Sequence, residues 1–171
     1  MAEDRGGTFI EDKVIHIDPA QRTLNLQSGK QVSYDVVSFN TGSDVPLAGL
    51  VSERSEKIVP VKPVFNLLQA RRSIVPALKN QSMQVIVIGG GPAGVEITAN
   101  LWRLVNQNRG KATIRLIAGR RLLATLPEKV RELTLKSLGE RGITVIEGNR
   151  LAEVIGNQIR LADGTFYPFH I

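Results

Sequence analysis

From Gln84 to Ile88 the chain reads Gln-Val-Ile-Val-Ile, β-branched and uncharged, a pattern that predicts a buried strand. A run of glycines comes next. Beyond it Gly94, Ile97, Thr98, Leu101, Leu104 and Val105 recur at helical spacing, with Pro92 suited to the first turn and Asn108 to Gly110 as a stop. Thr113 to Ala118 is a second apolar strand. Strand, helix and strand make a complete βαβ unit of about 35 residues.

The rest of the pattern divides the chain in three. Residues 1–50 read as β-rich. Val14 to Asp18 alternates, Asp18-Pro19-Ala20-Gln21 is a turn, Thr23 to Leu26 alternates again, and Ser28-Gly29 is another turn. Tyr34 to Asn40 reads as a more continuous apolar strand ending in Thr41-Gly42-Ser43. Residues 51–82 form a connector opened by Pro60 and Pro63, in which Val64, Leu67, Leu68, Arg71, Ile74, Val75 and Leu78 predict an amphipathic helix interrupted or ended near Pro76. Residues 83–171 hold the βαβ unit and the elements after it. There Thr125 and Glu128 have capping-box spacing around Pro127, Val130, Leu133 and Leu138 mark the expected buried face of a further helix, and Gly142 ends it. Ile143 to Glu147 is the next strand, two short strands flank Gly156-Asn157, and Asp163-Gly164 signals a hairpin before Phe166. The expected fold class is α/β, a Rossmann-like dinucleotide-binding fold with a parallel sheet and a β-meander, preceded by a partial β-rich segment.

Composition narrows the chemistry. The 171 residues contain no cysteine, which excludes disulfides, Cys-based metal sites and a redox dithiol within this chain. No run approaches the length of a membrane span, and no basic stretch followed by an apolar core opens the chain. A cytoplasmic location is expected. The net charge is +6, but adjacent arginines occur only at Arg71-Arg72 and Arg120-Arg121, and aromatics make up 5%. A solvated basic surface fits this better than nucleic-acid binding. His16 and His170 lie in strand patterns without partner ligands, so no metal site is expected, and no Ser-His-Asp set or carboxylate pair marks a catalytic residue.

Gly89, Gly91 and Gly94 fit G-x-G-x-x-G between strand and helix. In such a turn the first glycine permits the sharp bend, the second lets backbone approach a pyrophosphate, and the third lets helix and strand pack closely. The helix N-terminus adds free N–H groups and a positive dipole end. The stretch Gly89, Gly90, Gly91, Pro92, Ala93, Gly94 is therefore the candidate NAD(P)H site, against the alternative of pure helix–strand packing. Ala118 ends the second strand, where NAD-specific folds place an acid for the ribose hydroxyls. Arg120 and Arg121 come directly after, and an arginine there suits a 2′-phosphate; the alternative is a solvated loop. The missing acid also leaves a degenerate nucleotide site open.

These residues, in this order, resemble the FAD/NAD(P)-dependent pyridine nucleotide-disulfide oxidoreductase superfamily, in its type II NADH dehydrogenase-like branch, which uses no dithiol. Val14-Ile15-His16-Ile17-Asp18-Pro19 with Thr23-Leu24-Asn25-Leu26 looks like its β-meander, and Asn40-Thr41-Gly42-Ser43 resembles its "A-T-G-S" strand end, with Asn40 replacing alanine. Gly89 to Gly94 matches its second dinucleotide fingerprint, and Leu138 to Val145 and Leu161-Ala162-Asp163-Gly164 match "L-x-x-x-G-I-x-V" and "L-x-D-G". The resemblance implies a flavoprotein that passes hydride from NAD(P)H to FAD and on to an acceptor such as a quinone, with a non-catalytic nucleotide-binding or scaffold module as the alternative. It also implies that Glu96, early in the helix, lies near nicotinamide and flavin, the alternative being an acid favoured by the helix dipole. Thr41 and Gly42 would lie near the FAD pyrophosphate. The family's N-terminal glycine fingerprint and its later Gly-Asp flavin contact are not seen. The chain is therefore expected to be an interior piece that needs the remainder of the FAD domain as partner. On that expectation it neither holds FAD nor turns over alone, and either it associates with itself through the uncovered strand at Tyr34 to Phe39 or its N-terminal segment is poorly ordered. Peripheral membrane association of the parent protein is left open.

Overall fold

The computed structural model describes residues 5–45 and 57–171; the boundary expected near residue 50 lies outside them. Two compact units divide between Gly42 and Ser43.

The first unit is an antiparallel meander of β1 (Val14–Asp18), β2 (Thr23–Leu26) and β3 (Gln31–Ser33). The Asp18 carboxylate accepts the amides of Ala20 and Gln21, both at 2.9 Å, and so closes the first turn. Gly29, at φ +86°, makes the second. The Asp12 carboxylate accepts the Ser28 hydroxyl, which holds its carboxyl below the usual range.

The strand expected at Tyr34 to Asn40 does not form. The Tyr34 amide still donates to Arg22 O at 3.0 Å, but the chain then bends away, and no ladder partner for it exists among the described residues. An apolar run supplies side chains for a sheet; it becomes a strand only where a neighbour takes its N–H and C=O groups. Val36 is left 89% exposed and Phe39 58%.

In the second unit β4 (Met83–Ile88), β5 (Ala112–Gly119) and β6 (Thr144–Glu147) form a parallel sheet in the order β4-β5-β6. On the β4 side the end of the chain runs along the sheet in the same direction. His170 N–H donates to Gln84 O at 2.8 Å, the Gln84 amide donates to His170 Nδ1 at 2.8 Å, and Ile86 N–H donates to Ile171 O at 3.1 Å. His170 is thus a structural pin.

Strand alternation sends side chains to two cores. Met83, Val85, Val87, Ile114, Leu116 and Ala118 meet a helical layer of α1 (Phe65–Asn80), α2 (Pro92–Gln107) and α3 (Glu128–Gly139). Ile86, Ile117 and Ile146 face the opposite way, onto a second meander of β7 (Leu151–Ile155), β8 (Gln158–Leu161) and β9 (Phe166–Pro168). The architecture is the expected α/β one, with a parallel sheet and a β-meander, preceded by a β-rich segment.

Three local expectations change. Helix α1 continues through Pro76 to Asn80, because α1 is held by Ile74 and Leu78 in the core, and Gln81 N–H still finds Ala77 O at 3.1 Å. The Thr125–Glu128 capping box is absent. Pro127, extended at ψ 144°, is itself the cap, which leaves Thr125 too far upstream. The buried face of α3 is set by Leu135 and Leu138, while Val130 and Leu133 are exposed. Gly142, at φ +70°, does end the turn after α3 as expected.

Candidate functional site

The glycine turn joins the C-terminal end of β4 to α2, and three of its four glycines are explained by backbone conformation or packing. Gly89 sits at φ +127°, a conformation side chains rarely adopt, and its N–H donates to Ile117 O at 2.9 Å. A Cβ on Gly94 would strike the Gly89 carbonyl, standing 2.9 Å from its carbon, so only glycine lets helix and strand approach. A Cβ on Gly90 would collide with Ala118, at 2.8 Å from its Cβ; this packing requirement was not visible in the sequence.

Gly91 has no such reason. Its backbone is ordinary, at φ −82° and ψ 178°, and a Cβ placed there would meet nothing within 4 Å. The fold tolerates a side chain at 91, and the space it would fill is open. Gly91 caps α2 without a side-chain cap bond, and Pro92 at the first position has no N–H. The amides of Gly91, Ala93 and Gly94 are therefore the donors this helix start offers. An open space edged by first-turn amides and bare of side chains is what a phosphate group needs.

Ala118 is buried beneath Gly90, with no polar group to offer a ribose. Glu96, on α2, is exposed and has no partner among the described residues. The two arginines part company. Arg121 forms an ion pair with Glu128, whereas the side chain of Arg120 is exposed and has no partner among the described residues. Thr41 and Gly42 belong to the first unit, in a stretch outside its strands, with Gly42 at φ +71°.

The support of the loop that carries Arg120 was not foreseen from the sequence. At the end of β6, Glu147 Oε1 accepts the Leu122 amide at 2.6 Å, and its Oε2 accepts Arg131 Nη2 at 2.5 Å. Partial burial alone would raise the Glu147 carboxyl, but the Arg131 guanidinium and the Leu122 amide outweigh it and hold it below 4.5. Arg131 is pushed up in turn, chiefly by its bonds to Glu147. The next amide, Leu123 N–H, donates to Gly90 O at 2.7 Å, and Leu123 itself lies at φ +49°. That left-handed conformation costs a non-glycine residue about 1–2 kcal/mol. Only the spacing of Glu128 and Arg131 could have hinted at this cluster, since Glu147 is far away in sequence.

The stretch of sequence that carries the turn is basic. Between Lys57 and Pro127 there are eleven lysines and arginines and one acid, Glu96. Such an excess favours the approach of an anionic ligand. Among the described residues no helix is long and apolar enough to cross a membrane.

Comparison with known proteins agrees with this architecture. The family described as "Pyridine nucleotide-disulphide oxidoreductase" matches residues 4–167. Ferroptosis suppressor protein 1 of Taeniopygia guttata is 28% identical over 151 residues, covering 87% of this chain and 37% of its own length. The internal alternative NAD(P)H-ubiquinone oxidoreductase A1, mitochondrial, of Arabidopsis thaliana is 23% identical over 159 residues, covering 81% of this chain and 31% of its own. The chain thus spans about a third of these relatives. Among solved structures, a ferredoxin reductase from Rhodopseudomonas palustris aligns with a TM-score of 0.79 at 20% identity, over 99% of this chain and 41% of that one. A sulfide:quinone oxidoreductase from Aquifex aeolicus aligns at 0.76 and 19% identity, over 96% of this chain and 41% of that one.

Proposed function

The chain belongs to the pyridine nucleotide-disulphide oxidoreductase family, and on that basis we propose that its residues 83–171 bind the NAD(P)H of a flavin-dependent oxidoreductase that passes hydride to FAD and on to an acceptor such as a quinone. The observation that carries the reading is Gly91, whose missing side chain is explained by no neighbour and leaves open space at the start of α2. In this reading the amides of Gly91, Ala93 and Gly94 hold the pyrophosphate, Gly89 and Gly90 keep the turn low enough for it to approach, and Arg120 offers the cation at the far end of the dinucleotide. Hydride transfer is chemistry the nicotinamide and flavin supply when bound; the protein's part is to hold and orient them. That Thr41 and Gly42 contact the FAD pyrophosphate, and the division into a β-rich segment, a connector and a nucleotide-binding part, belong to the same proposal. The relative named an NAD(P)H-ubiquinone oxidoreductase supports the choice of acceptor class.

Titration with NADH and NADPH, followed by nicotinamide fluorescence, tests the binding claim. Saturable binding of one dinucleotide per chain is expected, and no saturation with either would overturn it. A second reading, a nucleotide-binding module that no longer turns over, is favoured by Ala118, which presents no acid to a ribose. Quinone-dependent NAD(P)H oxidation, assayed with FAD supplied, separates the two.

A further inference from the structure

The strained loop after β5 is stitched on both sides by consecutive amides. Leu122 N–H is taken by the Glu147 carboxylate at 2.6 Å and Leu123 N–H by the Gly90 carbonyl at 2.7 Å. Leu122 and Leu123 are buried, and the bond to Glu147 is partly buried. Just before them, Arg120 O accepts the Gly148 amide at 3.2 Å, and Gly119 pairs with Asn149. The base of the Arg120 side chain is therefore fixed relative to the glycine turn, through Gly90, and to the end of β6, through Glu147. Glu128 meanwhile engages both Arg121 and Arg131. One of the two adjacent arginines is thus committed within the protein, and the other remains available to a ligand.

We propose that Glu147 is a positioning residue for a 2′-phosphate subsite, holding the Arg120–Leu123 loop so that Arg120 favours the phosphorylated dinucleotide. The inference rests on the nucleotide-binding reading above, in which Arg120 meets the 2′-phosphate, and adds to it the residue that positions that arginine. Glu147 itself touches no ligand. It acts by keeping Leu123 in its left-handed conformation and Arg120 beside the turn.

Two adenine mononucleotides, 2′,5′-ADP and 5′-AMP, isolate the subsite, because they differ only in the 2′-phosphate. Calorimetric titration of the full chain should give a preference for 2′,5′-ADP of about tenfold or more, the fold-change of one charge-assisted hydrogen bond. Arg120→Ala should bring the ratio close to one. Glu147→Ala should do the same while the protein stays folded by circular dichroism. Glu147→Gln keeps an oxygen for the Leu122 amide and should retain most of the preference, and Arg121→Ala should leave it within about twofold. A purely structural role for Glu147 would lower both affinities together and leave the ratio intact, which would overturn the inference. If Glu147→Ala fails to fold, Arg120→Ala and Glu147→Gln decide alone: an unchanged ratio in the first, or a lost one in the second, refutes it. Equal binding of the two mononucleotides by the unaltered chain refutes the subsite and leaves the nucleotide-binding reading standing, whereas binding of neither refutes both.

Discussion

Replacing Gly91 with valine separates a glycine kept for the fold from one kept for a ligand. The backbone at 91 is extended, a conformation valine favours, and its Cβ would have no neighbour within 4 Å. Stability should therefore change by no more than about 1 kcal/mol, roughly 2–4 °C in a chain of this size. Binding should respond differently. The valine side chain projects into the space assigned to the pyrophosphate and denies it the first-turn amides. Two charge-assisted hydrogen bonds at about 1.5–3 kcal/mol each are then lost, a weakening on the order of a hundredfold or more. Gly94→Ala is the contrast. Its Cβ would stand 2.9 Å from the Gly89 carbonyl carbon and 3.6 Å from Leu116 Cδ1, and overpacking of this kind costs about 1–3 kcal/mol. Urea denaturation and NADPH titration, run on both variants, read the two effects. Gly91→Val with a native midpoint and undiminished affinity would show the pyrophosphate assignment to be wrong, and a Gly91→Val protein that unfolds would show that the fold needs this glycine after all.

The Glu147–Arg131 pair gives stability a direction with pH. Because the folded protein holds the Glu147 carboxyl below 4.5, the pair's contribution is present above that pH and is lost as pH falls through the lowered value. The urea midpoint of wild type should exceed that of Glu147→Gln at neutral pH, and the gap should close on acidification; a gap independent of pH would count against the pairing. The apolar surface at Val36 and Phe39 should drive self-association, so light scattering should show a lower mean mass for Val36→Asp than for wild type, and equal monomeric masses would show that this surface does not associate.

Much of the second unit was legible because its signals are local. The uncharged run at Gln84 to Ile88, the glycines after it and the helical spacing to Val105 lie within one βαβ unit, and each constrains its neighbour. The turn chemistry at Asp18, Gly29 and Gly164 was equally local. What escaped depends on residues far apart in sequence. Tyr34 to Asn40 has the composition of a strand, but pairing requires a neighbour that composition does not reveal. Val130 and Leu133 have the right period for a buried face, yet α3 is rotated so that Leu135 joins the expected Leu138 in the core instead. Pro76 is carried by a helix that tertiary packing holds together. Thr125 and Glu128 have capping spacing, but Pro127 takes the cap and Glu128 turns to Arg121 and Arg131. At the site, the sequence pointed to the glycine turn and to both arginines. It could not show that Glu128 commits Arg121, that Gly90 is needed against Ala118, or that Glu147 braces the loop between them.

Whether the start of α2 is a dinucleotide site can be read amide by amide, in an NMR titration of the isotope-labelled chain with NADPH. The largest shifts should fall on Gly91, Ala93 and Gly94, with a second group at Arg120 to Leu123, and the two groups should saturate together. Saturating shifts confined to other elements, such as the β1–β3 meander or α1, or no shifts at all, would be incompatible with a site there.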